Sequence, residues 1–224
     1  MNIVITGAGK GIGLELTRLF VESKHKTIAI SRNISALNKI DSEFLFPVSF
    51  DLISDDYSNL SSVINKSLTN VDLLINNAGL LVNRPIHDLT DSDFDNMFST
   101  NVKAAFKLTQ LLLPVFNEGS HIVNISSMGG VQGSSKFPGL SLYSASKGAI
   151  SILTECLAEE LKDSKISVNA LALGAVQTEM LNEAFPGFKA PLTSTEMAKY
   201  IYGFALTGHK YYNGKILPVS LSTP

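Results

Sequence analysis

The chain has 224 residues, 45% of them hydrophobic and 17% charged, a net charge of −2 and a single cysteine, Cys156. This length fits one domain with a substantial core, while the near-neutral charge gives no electrostatic reason to expect nucleic acid or an anionic membrane as a partner. The lone cysteine excludes an intramolecular disulfide, and with no signal-peptide pattern and no apolar run of about 18 residues it favours a cytoplasmic protein.

Short apolar or β-branched runs alternate with longer amphipathic stretches along the whole chain. The predicted strands are 2–6, 26–31, 44–50, 72–76, 121–126, 166–173 and 215–220. The predicted helices lie near 12–23, 55–68, 91–117, 143–163 and 194–207. This alternation predicts one α/β domain over 1–224, with a three-layer, doubly wound parallel sheet of about seven strands that binds its ligand beyond the strand carboxyl ends.

A glycine-rich stretch, TGAGKGIG at 6–13, follows the first predicted strand directly. It is not a P-loop, because Lys10 is followed by Gly11 where that motif has serine or threonine. It also departs from Gly-x-Gly-x-x-Gly and fits Thr-Gly-x-x-x-Gly-x-Gly instead. Glycines let the backbone approach a pyrophosphate, while the next helix offers its amino-terminal amides. A turn that binds nothing is the alternative, but the position after a strand favours phosphate binding.

This loop resembles the cofactor loop of the short-chain dehydrogenase/reductase family, in its shorter subtype. Further motifs of that family follow in order: Asp51-Leu52, NNAG at 76–79, Asn101 in TNVKAAF, NISS at 124–127, YSASK at 143–147 and VNALALGAVQT at 168–178. Each motif alone is weak, but six in register cover essentially the whole chain. The resemblance implies a Rossmann-type fold and an NADP(H)-dependent oxidoreductase that interconverts a carbonyl and an alcohol.

Tyr143 and Lys147 stand one helical turn apart in a helix-like stretch, where side chains at i and i+4 are neighbours. A second Tyr-x-x-x-Lys pair, Tyr211 and Lys215, encloses an Asn-Gly turn signal and is not expected to share a helix face. An ammonium group favours a nearby phenolate, so we expect Lys147 to lower the pKa of Tyr143 from its usual value of about 10.

The resemblance assigns roles to four residues. Tyr143 would protonate a carbonyl oxygen, Lys147 would hold the nicotinamide ribose, and Ser127 would bind the substrate oxygen. Asn101 would hold a water that links Lys147 to solvent. Ser127 is preferred over Ser126 because the family's serine is followed by two residues and a glycine. The alternatives are that Ser127 only ends a strand and that Asn101 only bends an apolar helix.

The second strand ends at Ser31, where an NAD-preferring site usually places an acid, and Arg32 follows. A guanidinium matches phosphate oxygens bidentately, and Lys10 can reach the same phosphate from the neighbouring loop. No carboxylate is expected to compete nearby, so these residues favour NADP(H); the alternative is that both cations are merely solvated. No metal site is expected. The implied cofactor set is Gly7, Gly9, Lys10, Gly11, Ile12, Gly13, Ser31, Arg32, Asp51, Leu52, Asn77, Ala78, Gly79, Tyr143, Lys147, Gly174, Val176 and Thr178.

The remaining patterns concern substrate and assembly. Ser127 and Tyr143 stand further apart than is usual in the family, which predicts a longer loop at 132–141 beside the site. Apolar faces on helices 94–117 and 143–163, which pair across a twofold axis in relatives, predict a homodimer or homotetramer. Cys156 is expected in the core or the interface. Apolar residues after 178 predict a lid over an apolar portion of the substrate: Met180, Leu181, Phe185, Pro186, Phe188 and Leu192.

The expected partner is a small-molecule carbonyl or alcohol, whose identity and direction of reaction the sequence leaves open. One alternative is a non-catalytic NADP(H)-binding redox sensor on the same fold. Another is a sugar-nucleotide epimerase or dehydratase, whose relatives are usually longer and carry a different glycine spacing. The complete set of Asn101, Ser127, Tyr143 and Lys147 favours the enzyme, because a sensor has no need of an acid/base pair.

Overall fold

The central sheet of the computed structural model, which describes residues 1–221, contains seven parallel strands. In chain order the strands are β1 (Asn2–Thr6), β2 (Lys26–Ser31), β3 (Leu45–Ser49), β4 (Val71–Asn76), β5 (Phe116–Ser127), β6 (Ser167–Leu173), β7 (Val176–Gln177), β8 (Leu192–Thr193) and β9 (Ile216–Val219). The sheet order is β3-β2-β1-β4-β5-β6-β9, the doubly wound arrangement predicted, while β7 and β8 form a separate pair. Residues 222–224, the end of the predicted domain, lie outside the described residues.

Helices cover both faces of the sheet. In chain order they are α1 (Gly11–Glu22), α2 (Tyr57–Ser67), α3 (Asp91–Phe98), α4 (Ala104–Leu112), α5 (Ser141–Glu160), α6 (Glu179–Ala184) and α7 (Ser194–Thr207). On one face, α1 and α7 contribute Leu16 and Ile201 to a shared core, and on the other, α2 and α4 contribute Leu60 and Leu108. No helix among residues 1–221 is long and apolar enough to cross a membrane.

Strand side chains alternate between these two cores, because successive residues of a strand point to opposite faces. Ile3 and Ile5 of β1 belong to the core under α1 and α7, whereas Val4 belongs to the core on the opposite face. All three side chains are fully buried. A strand that is apolar on both faces must be covered on both faces, so the predicted three-layer fold is confirmed.

The helix predicted over 91–117 is interrupted twice. α3 passes into a π-helical turn, Ser99–Lys103, before α4 begins, and a 3-10 turn, Leu113–Val115, ends the helical region. Pro114 lacks the amide hydrogen that would continue the helix, and β5 already starts at Phe116, so the predicted end is wrong. The apolar pattern of the sequence does not reveal a π turn. The one extra residue in the turn still leaves apolar side chains on the buried faces of α3 and α4, on either side of it.

A buried histidine near the amino end of β5 is fixed in one neutral tautomer. His121 Nδ1 lies 3.0 Å from the carbonyl oxygen of Ala205 in α7, so Nδ1 carries the hydrogen and donates it. Its Nε2 accepts from Asn169 Nδ2 at 3.1 Å. The amide of Asn169 is oriented because it also donates to the Tyr212 carbonyl oxygen and accepts from the Lys215 amide. Burial lowers the pKa of His121 to about 4.

We expect this histidine to make the protein sensitive to acid. Between pH 6.5 and 4 the unfolded chain binds a proton that folded His121 does not, so stability present above pH 6.5 is lost as the pH falls through this window. The free energy of unfolding should fall by up to about 3 kcal/mol. Urea unfolding followed by far-UV circular dichroism at several pH values measures the loss.

The variant His121→Gln should remove the part of this pH dependence that His121 contributes. The matched control is His87→Gln, because the His87 side chain is 77% exposed and should leave the acid-induced loss unchanged. If His121→Gln lost stability with falling pH as steeply as the wild type, the assignment would be contradicted.

Candidate active site

A cavity of about 1100 Å³ follows the carboxyl ends of the parallel strands. Its wall includes Gly7 after β1, Ser31 at the end of β2, Asn77 after β4, Ser127 at the end of β5 and Gly174 after β6. This is the edge at which a doubly wound sheet binds its ligand. The predicted site residues that line the cavity are Gly7, Lys10, Gly11, Ile12, Ser31, Arg32, Asp51, Leu52, Asn77, Ala78, Gly79, Ser127, Tyr143, Lys147, Gly174, Val176 and Thr178.

Two predicted cofactor residues, Gly9 and Gly13, do not line the cavity and instead allow close packing behind it. A methyl group at Gly13 would lie 2.2 Å from the carbonyl oxygen of Gly7, and one at Gly9 would lie 2.4 Å from the carbonyl oxygen of Asn33. Gly7 has φ +64°, a conformation that favours glycine. The glycine pattern therefore serves both the cavity wall and the contact of the loop with α1 and the end of β2.

Asn77 fixes the glycine loop from the end of β4. Its Nδ2 donates to the carbonyl oxygens of Thr6 and Gly7 at 3.1 and 3.2 Å, and its backbone amide donates to Thr6 Oγ1 at 3.1 Å. The amide of Ala78 donates to the same hydroxyl at 3.0 Å. Asn77 thus holds the loop in shape at the same time as it lines the cavity.

The amino end of α1 opens towards the glycine loop without a capping side chain. Its first turn contains no acidic residue, and Lys10 at the N-cap makes no side-chain capping bond. Lys10 Nζ instead lies 3.6 Å from Glu183 Oε1 in α6. The expectation that no carboxylate competes nearby is therefore wrong. Both side chains of the pair are largely exposed, so their attraction is weak.

The Tyr143–Lys147 pair lies at the start of α5, as predicted. Lys147 is only 4% exposed, and its Nζ donates to the carbonyl oxygen of Ile125 at 2.8 Å. This Nζ lies 5.8 Å from the centre of the Tyr143 ring. The lysine is thus anchored to β5 while it faces the tyrosine ring.

The pKa values of this pair differ from the sequence expectation. Burial raises the pKa of Tyr143, and the Ser127 hydroxyl, rather than Lys147, opposes the rise. Burial also lowers the pKa of Lys147 to about 8. The predicted lowering of the tyrosine pKa is therefore corrected, because the loss of water around Tyr143 raises its pKa.

The two adjacent serines of β5 have different surroundings. Ser126 is 2% exposed, and its hydroxyl donates to the carbonyl oxygen of Lys147 at 2.8 Å and contacts Ser151 Oγ at 2.9 Å. The Ser127 Oγ accepts a 3.2 Å bond from the Gly129 amide, and its hydroxyl also interacts with Tyr143. Ser126 therefore holds β5 against α5, and Ser127 is the serine whose hydroxyl can reach a ligand.

Asn101 does not line the cavity and supports it from the π-helical turn. Its Oδ1 accepts from the Leu80 amide at 2.7 Å, and its Nδ2 donates to the Leu80 carbonyl oxygen at 2.9 Å. Nδ2 also donates to Ser146 Oγ at 2.8 Å, and that hydroxyl donates to the Tyr143 carbonyl oxygen. A methyl group at Gly79 would lie 3.5 Å from Lys147 Nζ and 3.6 Å from Asn101 Oδ1. Ser146, inside YSASK, was missed as a supporting residue.

The predicted lid is partly correct. The short helix α6, capped by Thr178 Oγ1 accepting from the Leu181 amide at 3.2 Å, was not predicted. Pro186 does not line the cavity, and Leu192 belongs to β8 and packs on the core. The lid residues that do line the cavity are Met180, Leu181, Phe185 and Phe188.

Several cavity residues were not singled out in the sequence. Phe137 lies in the loop whose extra length was noticed, and Thr100 directly precedes Asn101, so both positions carried a usable signal. Ile125 and Ala175 lie inside two of the quoted motifs, NISS and VNALALGAVQT, and Ile30 and Asn96 lie in β2 and α3. The missed lining residues are Ile30, Phe50, Ile53, Ser54, Leu80, Leu81, Asn96, Thr100, Ile125, Met128, Gly129, Phe137, Leu140, Ala175 and Glu179.

Comparison with known proteins identifies relatives over most of the chain. A family model described as short chain dehydrogenase matches residues 1–187. An uncharacterized oxidoreductase of Staphylococcus aureus strain N315 is 28% identical over 218 residues, which cover 94% of this chain and 92% of that protein. Carbonyl reductase (NADPH) 2 of Sus scrofa is 34% identical over 186 residues, 80% of this chain and 73% of that protein.

Solved structures with the same fold are also similar. The structure of 4-hydroxyisoleucine dehydrogenase complexed with NADH has a TM-score of 0.86 at 26% identity and covers 98% of this chain and 96% of that one. The structure of ElxO with NADP bound has a TM-score of 0.82 at 27% identity, with 98% and 96% coverage. These structures confirm the predicted Rossmann-type fold.

We expect Gly13→Ala to lower stability, because its methyl group would meet the Gly7 carbonyl oxygen and Asn77 Nδ2, atoms that cannot move independently. The cost should be about 2–3 kcal/mol. Gly203→Ala in α7 is the matched control, since nothing lies within 4 Å of its added methyl group. That variant should gain about 0.5–1 kcal/mol from helix propensity. Urea unfolding measures both, and equal stability of the two variants would refute the packing role.

Proposed function

This chain belongs to the short-chain dehydrogenase family, and on that basis we propose that it is an oxidoreductase using NADP(H) to interconvert a carbonyl and an alcohol. The observation that carries the proposal is the convergence of Ser127, Tyr143 and Lys147 on the cavity that the glycine loop also lines. Relatives whose names or structures include NADPH, NADP or NADH support a nicotinamide cofactor.

The residues of the glycine loop fit a dinucleotide. The uncapped amino end of α1 suits an anion, because its free amides and positive dipole end favour negative charge. Lys10 and Arg32 add two cations at the cavity wall beside Ser31, and no acidic side chain stands at position 31. This donor set favours a phosphate on the adenosine ribose, and hence NADP(H) over NAD(H). When bound, the reduced nicotinamide supplies a hydride to the carbonyl carbon.

The chain's own residues supply the proton and the orientation. Ser127 holds the substrate oxygen with its hydroxyl, and Tyr143 donates its proton to that oxygen, which completes the alcohol. The raised pKa of Tyr143 keeps its hydroxyl protonated at neutral pH, the state needed for reduction. In the oxidation direction, the phenolic oxygen of Tyr143 must instead take the proton from the alcohol.

Lys147 and Asn101 have supporting tasks. Lys147 has a pKa of about 8 and therefore exchanges protons near neutral pH, and its ammonium group binds the nicotinamide ribose. Both hydrogens of Asn101 Nδ2 are used, so the second lone pair of Oδ1 is what remains for a water next to Lys147. This arrangement returns a proton to Tyr143 from solvent.

The alternative of a non-catalytic NADP(H)-binding redox sensor has less support. Burying a lysine until it is only 4% exposed is unfavourable for folding. We therefore expect a lysine in such a place to have a function that depends on its charge. Binding alone could be served by exposed cations such as Lys10 and Arg32. A buried lysine beside a partly buried tyrosine that lines the cavity is an arrangement suited to proton transfer.

We also propose that the protein acts in the cytoplasm as a homodimer or homotetramer. The lone cysteine fits a reducing compartment, although Cys156 is exposed on α5 and not in the core. Phe106 of α4 and Ile152 of α5 are 43% and 61% exposed. A groove between α5 and the segment from α3 to α4 is lined by Asp95, Phe98, Ser99, Val102, Lys103, Phe106 and Leu153. Its four apolar side chains are the kind of exposed apolar surface that a second copy would cover.

We expect Tyr143→Phe to abolish carbonyl-dependent oxidation of NADPH, because phenylalanine keeps the packing and removes the proton. Cofactor affinity should stay nearly unchanged, whereas Lys147→Ala should lose both turnover and affinity. Tyr211→Phe is the matched control, since Tyr211 belongs to the second Tyr-x-x-x-Lys pair and is 78% exposed. Loss of NADPH absorbance and NADPH titration measure the two quantities. Substantial turnover by Tyr143→Phe would refute the mechanism, and the absence of turnover in the wild type would favour the sensor.

Arg32→Ala and Lys10→Ala should each lower kcat/KM for NADPH but not for NADH. The corresponding loss of transition-state stabilisation should be about 1–3 kcal/mol, as expected of charged hydrogen bonds. Glu183→Gln should raise the preference for NADPH about two- to fivefold, because it releases Lys10 from a weak surface pair.

Glu159→Gln is the control for the glutamate change, because Glu159, near the end of α5, forms an ion pair of the same length, 3.6 Å, with Lys162 in the turn that follows. It should leave the cofactor preference unchanged. Equal or better use of NADH by the wild type would overturn the proposed role of Lys10 and Arg32.

A further inference from the structure

The charged side chains of the cavity are distributed unevenly. Within residues 1–221 the charged lining residues are Lys10, Arg32, Asp51, Lys147 and Glu179. All but Lys147 come from the glycine loop, the ends of β2 and β3, or the start of α6. The Glu179 carboxylate faces the glycine loop, since a methyl group at Gly11 would lie 3.3 Å from Glu179 Oε2.

The other lining segments are uncharged. The residues that segments 80–81, 96–100, 128–140 and 180–188 contribute to the wall are apolar, apart from Asn96, Thr100 and the glycine backbone. Nearby cations are committed elsewhere: Arg84 pairs with Asp93 at 2.6 Å, and Lys136 bonds to its own loop. Lys189 does not line the cavity. A substrate carboxylate or phosphate at this end would lose water without gaining a counter-charge.

The long loop before α5 holds an aromatic ring at the cavity wall. Lys136 Nζ donates to the Val131 carbonyl oxygen at 2.7 Å and to the carbonyl and hydroxyl oxygens of Ser134 at 3.2 and 2.6 Å. The amide of Leu140 donates to the Phe137 carbonyl oxygen at 3.2 Å. These bonds fix the loop, yet the Phe137 side chain remains 41% exposed.

A dipeptide joins this loop to the lid. The Arg84 amide donates to the Gly139 carbonyl oxygen at 3.0 Å, and Asn83 Nδ2 donates to the Ala184 carbonyl oxygen at 2.8 Å. Gly139 lies two residues after Phe137, and Ala184 directly precedes Phe185. The two aromatic segments are therefore held on either side of one short stretch of chain.

We propose that Phe137, Phe185 and Phe188 form an aromatic rim that selects uncharged carbonyl compounds bearing an aromatic ring. All three rings line the cavity, and Phe188 is 50% exposed. Rings gain offset and edge-to-face contacts with other rings beyond the apolar area they bury. This inference rests on the proposed function and names the substrate class of the same site.

The test compares matched ketones in reduction by NADPH. Benzylacetone and methyl octyl ketone have the same carbon number and both carry a dialkyl carbonyl, so their difference reports the ring. The para-carboxylate of benzylacetone and its methyl ester differ in charge at the same position. We expect the ring ketone to have the higher kcat/KM of the first pair, and the ester the higher kcat/KM of the second, by at least about tenfold.

Phe137→Leu should lower kcat/KM for benzylacetone about fivefold, as expected of a lost ring contact, and change that for methyl octyl ketone much less. Phe94→Leu is the control, because Phe94 is similarly exposed, at 45%, and does not line the cavity. Equal losses for both ketones, no preference for the ring, or equal use of the carboxylate would each overturn the aromatic rim while leaving the proposed function intact.

Ligand-observed NMR of the protein with NADP(H) reads the same preference without turnover. If no ketone is reduced, the proposed function fails, and binding of benzylacetone over methyl octyl ketone, reduced by Phe137→Leu, still supports the rim. If neither ketone binds, or both bind equally to the wild type and to Phe137→Leu, the rim is refuted as well.

Discussion

The close approach of α1 to the first strand is the contact on which the rest of the site depends. Only a hydrogen at Gly13 leaves room for the Gly7 carbonyl oxygen, and Asn77 then bonds to that same oxygen from β4. Three segments thus meet at one backbone carbonyl oxygen, which has fewer ways to adapt than a side chain. The amino end of α1 is aimed into the cavity as a result, and the cations Lys10 and Arg32 are placed around it.

Beside the end of β5, loss of water determines the direction in which the pKa values of Tyr143 and Lys147 shift. Ser126 and Ser151 hold β5 against α5, which places Lys147 where its ammonium group finds the Ile125 carbonyl oxygen in place of water. The π-helical turn brings Asn101 to Leu80 and links both to α5. Tyr143 and Lys147 are therefore supported by a continuous set of hydrogen bonds, in which loss of one partner leaves another unsatisfied.

The sequence pattern predicts the bounds of those elements whose ends depend only on neighbouring residues. The bounds of β1 and β2 agree with prediction because both are short apolar runs ended by a turn or a polar residue. Contacts between distant segments were not predictable: Glu183 meets Lys10, and Gly13 packs on the glycine loop. The direction of the tyrosine pKa was missed because a spacing of four residues shows proximity, whereas the loss of water depends on the whole cavity.

Sequence changes in the loop braced by Lys136 should affect one part of the cavity wall without affecting the part formed by the glycine loop. Most of the hydrogen bonds of this loop are internal. Its length and the side chain at position 137 can therefore change with little disturbance to the strand ends beside the glycine loop. Its bond to a neighbouring segment, from the Arg84 amide to the Gly139 carbonyl oxygen, is made by backbone atoms. Gly139 itself has φ +84°, and a methyl group there would collide with Asn83 Oδ1, so this one position of the loop requires glycine. Insertions and replacements elsewhere in this loop should therefore reshape the part of the cavity wall that contains Phe137 and leave the position of the glycine loop unchanged.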